Sequence, residues 1–385
     1  MRRWLVMNLL LAGLACAVAL GLAEATLRLA GDRILREAEF LEVGTVFKLD
    51  DPTLGFSLLA NSSRTVVKGG AFLMTERING QSLRDIEHTA GKTPGRKRIL
   101  VLGDSFMYGD GVAMEETLPR RLGTLMQSTE VINAGVRAYD LGQEYLYYKE
   151  RGHLFEPDLN ILAFFINDLS PDPSMRSVDG PDGLPIRYLR TPETIIRAQQ
   201  DAPRGLSGIV SSHLRSHSML YVLLRKRLDD LQVRRRLSGA NRVNRPAPEI
   251  FYLSAFEAEP ADKSVPADWR RAYRILDELK RLTAANGARF AVILIPAPWQ
   301  ITEQRWQQWV DWLGVDPSTL SRLRPQEMVT RWCVTSRTPC LDLLEPLKSK
   351  EVRAFYFPND HHWTPEGHRV AAETVAQFIR ARSLL

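Results

Sequence analysis

The amino-acid sequence predicts an α/β fold, a parallel sheet covered by helices on both faces, behind an apolar N-terminal segment and interrupted by a helical insertion. Three observations carry that prediction. Four apolar runs, RILVLG (98–103), EVINAG (130–135), DLNILAFFI (158–166) and RFAVILIP (289–296), alternate with amphipathic stretches, the pattern of strands buried on both faces. Between about residues 170 and 266 the alternation stops, and Pro-rich loops and a basic helical stretch take its place. From Trp4 to Ala23 the chain carries no charge.

Taken in order, that first run is long enough to cross a hydrocarbon core as a helix. A signal peptide is the competing reading, because Ala23-Glu24-Ala25 resembles a small-x-small cleavage site, but the run exceeds the usual h-region of about 7 to 15 residues. A lipoprotein is disfavoured, since Gly13 stands where a lipobox before Cys16 wants Leu. Residues 1–25 therefore read as a membrane anchor. Arg2 and Arg3 ahead of it place the N-terminus in the cytoplasm and the rest outside, which in a bacterium means a single-pass inner-membrane protein with a periplasmic domain. Residues 26–96 read as a helical stalk from Glu24 to Glu42 and a small lead-in subdomain with short β-type runs such as Thr65-Val66-Val67. The α/β domain occupies 97–385. Its helices are expected near 118–127, 142–151 and 267–286, and its sheet gains a short strand at Cys340–Leu343. No strong strand is expected in the insertion. Trp306, Trp309 and Trp312, at helical spacing, suit core packing better than a sugar platform.

The formal net charge of +6 would suggest nucleic-acid binding in the cytosol, but an extracytoplasmic domain meets no nucleic acid. Much of the excess lies between Arg215 and Arg245, notably Arg225-Lys226-Arg227 and Arg234-Arg235-Arg236, interleaved with Leu220, Leu223, Leu224, Leu228 and Leu231. A solvated helix face over a buried Leu stripe explains that pattern, and so does contact with anionic lipid headgroups or an acidic polysaccharide. Cys16 falls inside the apolar run; Cys333 and Cys340 lie close together in an oxidising compartment and read as one disulfide. Neither has a second Cys or His at ligand spacing, so no metal is expected of them.

Gly103-Asp104-Ser105 follows an apolar strand and precedes a helical segment, where a parallel sheet presents its carboxyl ends and binds ligands. A turn with an N-cap explains the tripeptide equally well. The segment is not the G-x-S-x-G elbow, because Met107 stands at the second glycine. Asp360-His361-His362-Trp363-Thr364-Pro365 precedes a last helix, with Thr364 as N-cap and Pro365 at its first position. If the stretch before the cap is extended, Asp360 and His362 project to one side, so the carboxylate can hold Nδ1 and leave Nε2 for a serine. A metal held by His361 and His362 is disfavoured, since neighbouring side chains in extended backbone point apart. Asn167, in Phe165-Ile166-Asn167-Asp168, ends a buried strand at the same sheet edge, either as an oxyanion donor or as an Asx-turn. The loop Asn133-Ala134-Gly135-Val136-Arg137-Ala138 can offer a backbone N–H.

In this order the four segments resemble the SGNH/GDSL hydrolase superfamily, over about 98–171 and 288–382. The resemblance implies a flavodoxin-like three-layer α/β/α fold, Ser105 as nucleophile, His362 as base, Asp360 orienting it, and an oxyanion hole from the N–H of Ser105, the loop at Ala138 and the Asn167 side chain. It calls for no cofactor. Three residues depart from the family's pattern. Ala138 stands where glycine is usual and does not readily take positive φ; Phe165 replaces the glycine of Gly-x-Asn-Asp; and Asn359, not Asp, stands three before His362. The Asp-x-His-Trp form is similar to the subgroup related to alginate O-acetyltransferases, which implies a small acyl group on an exported glycan as substrate. It also implies, for a transferase, a membrane acyl-donor partner. A non-catalytic glycan-binding scaffold is the reading from another class, and retention of Ser105, Asn167, Asp360 and His362 argues against it.

Overall fold

The computed structural model describes residues 2–35, 40–89, 91–169, 176–179, 185–188, 206–237, 252–260, 264–348, 352–357 and 360–385. In chain order the elements are α1 (Arg2–Ile34), β1 (Phe40–Gly44), β2 (Phe47–Asp51), β3 (Gly55–Leu58), β4 (Ser63–Lys68), β5 (Phe72–Arg77), β6 (Lys97–Gly103), α2 (Ser105–Tyr108), α3 (Leu118–Leu125), β7 (Thr129–Gly135), α4 (Leu141–Glu150) and β8 (Leu159–Phe164). There follow β9 (Arg176–Asp179), β10 (Pro185–Tyr188), α5 (Leu206–His217), α6 (Met219–Leu237), α7 (Leu253–Phe256), α8 (Ala267–Ala285), β11 (Arg289–Leu294), α9 (Glu303–Leu313), α10 (Arg324–Ser336), β12 (Cys340–Asp342), α11 (Val352–Phe355) and α12 (Pro365–Ala381). They fall into two compact units: 1–46 with 63–76 and 191–244, and 47–62 with 77–190 and 245–385.

The larger unit is built on one parallel sheet in the order β12-β11-β8-β6-β7, the α/β arrangement that the alternating runs predict. Its strands are apolar throughout because both faces are covered: Ile99 to Leu102, Ile161 to Phe164 and Ala291 to Ile293 are wholly buried. Burial at about 25 cal/mol per Å² makes those side chains the main stabilising term of the unit. At the carboxyl end of the sheet α2 rides directly on β7. A Cβ on Gly135 would lie 2.4 Å from the Tyr108 nitrogen and 2.6 Å from the Met107 carbonyl carbon, so only glycine permits this approach.

Cys333 and Cys340 are joined, tying the last turn of α10 to β12. Trp306 and Trp309 are buried on α9 against Phe256 and Trp299, while Trp312 is exposed. Three elements differ from expectation. The stalk is helical only as far as Ile34, and Phe40 to Glu42 belong to strand β1, which pairs with β4. The insertion contains the antiparallel hairpin β9–β10, whose strands of four residues are too short for a periodicity to register. The helix α10 also escapes pattern reading, because Val, Thr and Cys near its end are weak helix formers; burial of Met328, Val329, Trp332 and Cys333 on one face holds it.

In the smaller unit α1 runs to Ile34 with a kink at Ala30, where the backbone leaves helical geometry, and Arg3–Ile34 is long and apolar enough to cross a membrane, with a mean hydropathy of 2.3 over its most apolar stretch, none of it buried. Cys16 lies on it, free and exposed. Leu27, Leu35, Leu41, Val43, Val67 and Met219 form this unit's core, and Leu220, Val222 and Leu223 of α6 pack on it, whereas Leu224 and Leu228 are exposed. Glu24 caps the start of α6 by accepting from the N–H groups of Met219 and Leu220. The side chains of Arg234, Arg235 and Arg236, and residues Arg245, Pro358 and Asn359, lie outside the described residues.

Candidate active site

β6 delivers Gly103-Asp104-Ser105 to the carboxyl edge of the sheet. Asp104 N-caps α2 by accepting from the Phe106 N–H at 2.9 Å, which turns the chain sharply and leaves Ser105 as the first helical residue. From the far end of the sequence, the segment before α12 brings its histidine to the same edge. The Ser105 hydroxyl lies 2.7 Å from Nε2 of His362, and Asp360 Oδ1 lies 2.5 Å from Nδ1. The three side chains thus form one hydrogen-bonded chain, with Ser105 and His362 each less than a tenth exposed.

The backbone around Asp360 is not the extended stretch that the spacing suggests. Oδ1 of Asp360 also accepts from the His362 backbone N–H at 2.8 Å, so the carboxylate closes a tight bend from residue 360 to 362. That bend puts carboxylate and imidazole on one side. It does not send the two histidines apart as extended backbone would: the His361 ring lies 4.4 Å from that of His362, centroid to centroid, and is stacked on Phe165 at 6.2 Å. Among the described residues no group of three metal-ligating side chains comes together.

Asn167 sits in a single 3-10 turn, Ile166–Asp168, just after β8. One N–H of its amide goes to Asp104 Oδ2 at 2.7 Å, which fixes the amide plane and leaves the second hydrogen. The loop after β7 brings Ala138 to the site region in the left-handed conformation, φ +67°. The methyl side chain does not prevent that backbone; Tyr139 holds it, donating its N–H to the Val136 carbonyl and its hydroxyl to the Phe56 carbonyl. The strain is of the order of 1 kcal/mol. Phe165, in place of a glycine, closes the floor with Phe106, the two ring centroids 4.7 Å apart, and Phe106 also lies 5.3 Å from His362 and 4.9 Å from the buried Trp363.

Electrostatics follow from this burial. For His362 burial alone favours the neutral ring, but Asp360, and behind it Asp110 and Asp104, outweigh that and hold its pKa above the ordinary histidine value. Asp104 is pushed up to about 6, chiefly by burial, against the hydrogen bonds from Phe106 and Asn167 and the charge of His362. Glu144 and Asp168, both buried, are raised well above the carboxylate range, first by burial and then by the negative charges of Asp104 and Asp140 and, for Glu144, of Asp168.

Two residues escape sequence reading. Asp110, five past Ser105, places Oδ2 3.8 Å from His362 Nε2, and Arg137 Nε donates to that oxygen at 2.8 Å. The only local signal for Asp110 is its position between Gly109 and Gly111, both at positive φ.

Residues 251–385 match the family model described as the SGNH hydrolase-like domain of the acetyltransferase AlgX. The match takes in Asp360 and His362, while Ser105 and Asn167 lie outside it. No curated protein matches the chain. Among solved structures, TesA is 10% identical, covers 75% of this chain and 100% of its own, with a TM-score of 0.41. The lipase/acylhydrolase from Enterococcus faecalis is 11% identical over 74% of this chain and 96% of its own (TM-score 0.38). A GDSL-like lipase from Bacteroides thetaiotaomicron is 11% identical over 74% and 89% (TM-score 0.34). The C-terminal third of the chain, which completes a parallel sheet carrying Ser105 at its carboxyl edge, is thus similar to the SGNH hydrolase-like domain of the acetyltransferase AlgX.

Proposed function

We propose that the chain is an extracytoplasmic, membrane-anchored serine esterase that removes or transfers a small acyl group, acetyl, on an exported glycan through an acyl-Ser105 intermediate. One observation carries this: the unbroken contact from Asp360 through His362 to Ser105, at 2.5 and 2.7 Å. A serine hydroxyl is a weak nucleophile until a base takes its proton, and Nε2 lies where it can do so. As Oγ attacks the ester carbonyl, the proton passes to Nε2 and the imidazolium is stabilised by Asp360 at Nδ1. The oxyanion meets the N–H groups of Ser105 and Ala138 and the second amide hydrogen of Asn167; among the described residues no acceptor takes either backbone N–H. The ester oxygen leaves with the proton from Nε2, and an acceptor then repeats the sequence on the acyl-enzyme.

The acetyl assignment rests on the acetyltransferase named in the family match and on the closed aromatic floor of Phe165 and Phe106. The same name favours a second reading, a polysaccharide O-acetyltransferase served by a membrane acyl-donor partner, since transfer and hydrolysis share the first half-reaction. The single-pass inner-membrane location rests on the length and apolarity of α1 and the arginines before it. The test uses the detergent-solubilised full chain with p-nitrophenyl acetate and a fluorophosphonate. Labelling on the Ser105 peptide, lost in Ser105→Ala together with turnover, is expected; labelling elsewhere, or undiminished turnover in that variant, rejects the assignment.

A further inference from the structure

Asp110 has no part in the steps above, yet the fold fixes it with care. It is 4% exposed, its N–H donates to the Ser105 carbonyl at 3.0 Å, and Arg137 holds Oδ2. The loop around it is pinned by the buried guanidinium of Arg84, which donates to the carbonyls of Tyr108, Gly109 and Val112 at 2.6, 2.7 and 2.6 Å. Oδ1 of Asp110 is buried with no hydrogen-bond partner among the described residues. Oδ2, the oxygen nearer His362, accepts from Arg137 and, having two lone pairs, keeps acceptor capacity for a donor that arrives with the substrate.

The distances say which part of the substrate. Oδ2 lies 3.8 Å from Nε2 of His362, on the side of the ring that faces Ser105. In the acyl-enzyme Ser105 Oγ carries the acyl group and no hydrogen, so the acceptor's hydroxyl must replace it at Nε2. An oxygen about 2.8 Å from both Nε2 and Oδ2 spans that gap with an angle of roughly 85° at the oxygen. Its reacting hydrogen goes to Nε2. Water then has a second hydrogen for the carboxylate; a sugar hydroxyl has none, but the hydroxyl on the adjoining carbon supplies one.

We propose that Asp110 positions the acyl acceptor, taking a hydrogen bond from its second O–H while His362 takes the reacting proton. This rests on the acyl-Ser105 reading. In the step the acceptor's proton passes to Nε2, its oxygen bonds to the acyl carbon, and collapse expels Ser105 Oγ, which recovers the proton from Nε2. Asp110 exchanges no proton; its charge beside Nε2 bears on both half-reactions, and its hydrogen bond to the acceptor bears on the second alone.

The experiment follows p-nitrophenyl acetate with the solubilised full chain by rapid mixing and measures partition of the acetyl group between water and added ethanol or ethylene glycol. In Asp110→Asn the burst of p-nitrophenolate should slow, because a charge 3.8 Å from Nε2 is lost, while steady turnover falls roughly a further 30- to 100-fold and acetyl-Ser105 accumulates. The wild type should favour ethylene glycol over ethanol, per hydroxyl, by about fivefold or more, and Asp110→Asn should lose that preference. Arg137→Gln, which frees Oδ2, should fall between the two. Equal loss of burst and turnover, no loss of either, or no diol preference in the wild type overturns the proposal, the last without recourse to any variant. A wild type that neither bursts nor labels at Ser105 instead rejects the acyl-enzyme reading, and this proposal with it.

Discussion

Replacing Asp360 by Asn separates the charge of that residue from its geometry. Both hydrogen bonds that it accepts from His362, from the backbone N–H at 2.8 Å and at Nδ1 at 2.5 Å, end on Oδ1. An Asn oxygen in that place keeps both, so the bend and the imidazole tautomer survive and the negative charge is lost. Unit charges about 4 Å apart at an effective dielectric near 20 attract by about 4 kcal/mol. Because the imidazolium exists only on the way to products, that loss falls on the barrier and lowers kcat about 10³-fold. Asp360→Ala removes the orienting oxygen as well and should approach 10⁴-fold. The acid limb of kcat/KM should also move to lower pH in Asp360→Asn, since a principal influence holding the His362 pKa up is gone. Both variants are assayed with p-nitrophenyl acetate across pH, with circular dichroism as the folding control. Equal losses in the two would show that charge and orientation are not separable here, and an unmoved acid limb would remove His362 as the titrating base.

His368 is buried with Nδ1 accepting from the Leu118 N–H at 3.1 Å, and burial, with Arg84, Arg121 and His362 around it, drives its pKa to about 3. The unfolded chain binds a proton there near pH 6.5 and the folded one does not, so stability is whole above that pH and declines below it, by about 2.7 kcal/mol at pH 4.5; His368→Asn should flatten this slope in urea titrations, and an unchanged slope counts against it. Asn167→Ala should cost about 10²- to 10³-fold in kcat with little change in stability, and a loss seen only in KM would deny it an oxyanion role. Gly135→Ala drives a methyl into the α2 backbone and should lower the urea midpoint and esterase turnover together; a wild-type-like variant would mean that α2 can shift. Reduction of the disulfide between Cys333 and Cys340, or Cys333→Ser, should cost about 2 to 3 kcal/mol for a loop of this length, measured as the difference between oxidised and reduced melts.

The sheet was legible because strands buried on both faces leave unbroken apolar runs, and Ser105 could be placed because such a strand ends directly before it. Asp360 and His362 were legible as a pair by spacing alone, though the backbone that joins them is an Asx bend and not an extended strand; period-two reasoning and a bend put i and i+2 on the same side for different reasons. Ala138 shows the opposite case. Side-chain sterics disfavour positive φ there, and only the bonds of Tyr139, made to residues as distant as Phe56, explain why the backbone adopts it. Asp110 had no legible partner at all. Its meaning depends on a loop that Arg84 pins from 26 positions earlier and on a histidine 252 positions later, each number a difference along the chain. Motifs record residues whose chemistry needs a fixed local spacing, as a strand end followed by a helix does. A carboxylate that acts across the imidazole, through geometry supplied by three separate segments, leaves no such spacing. The part of the site proposed to activate Ser105 is therefore written in short motifs, while the part proposed to choose the acceptor becomes visible only when the sheet has brought those segments to one edge.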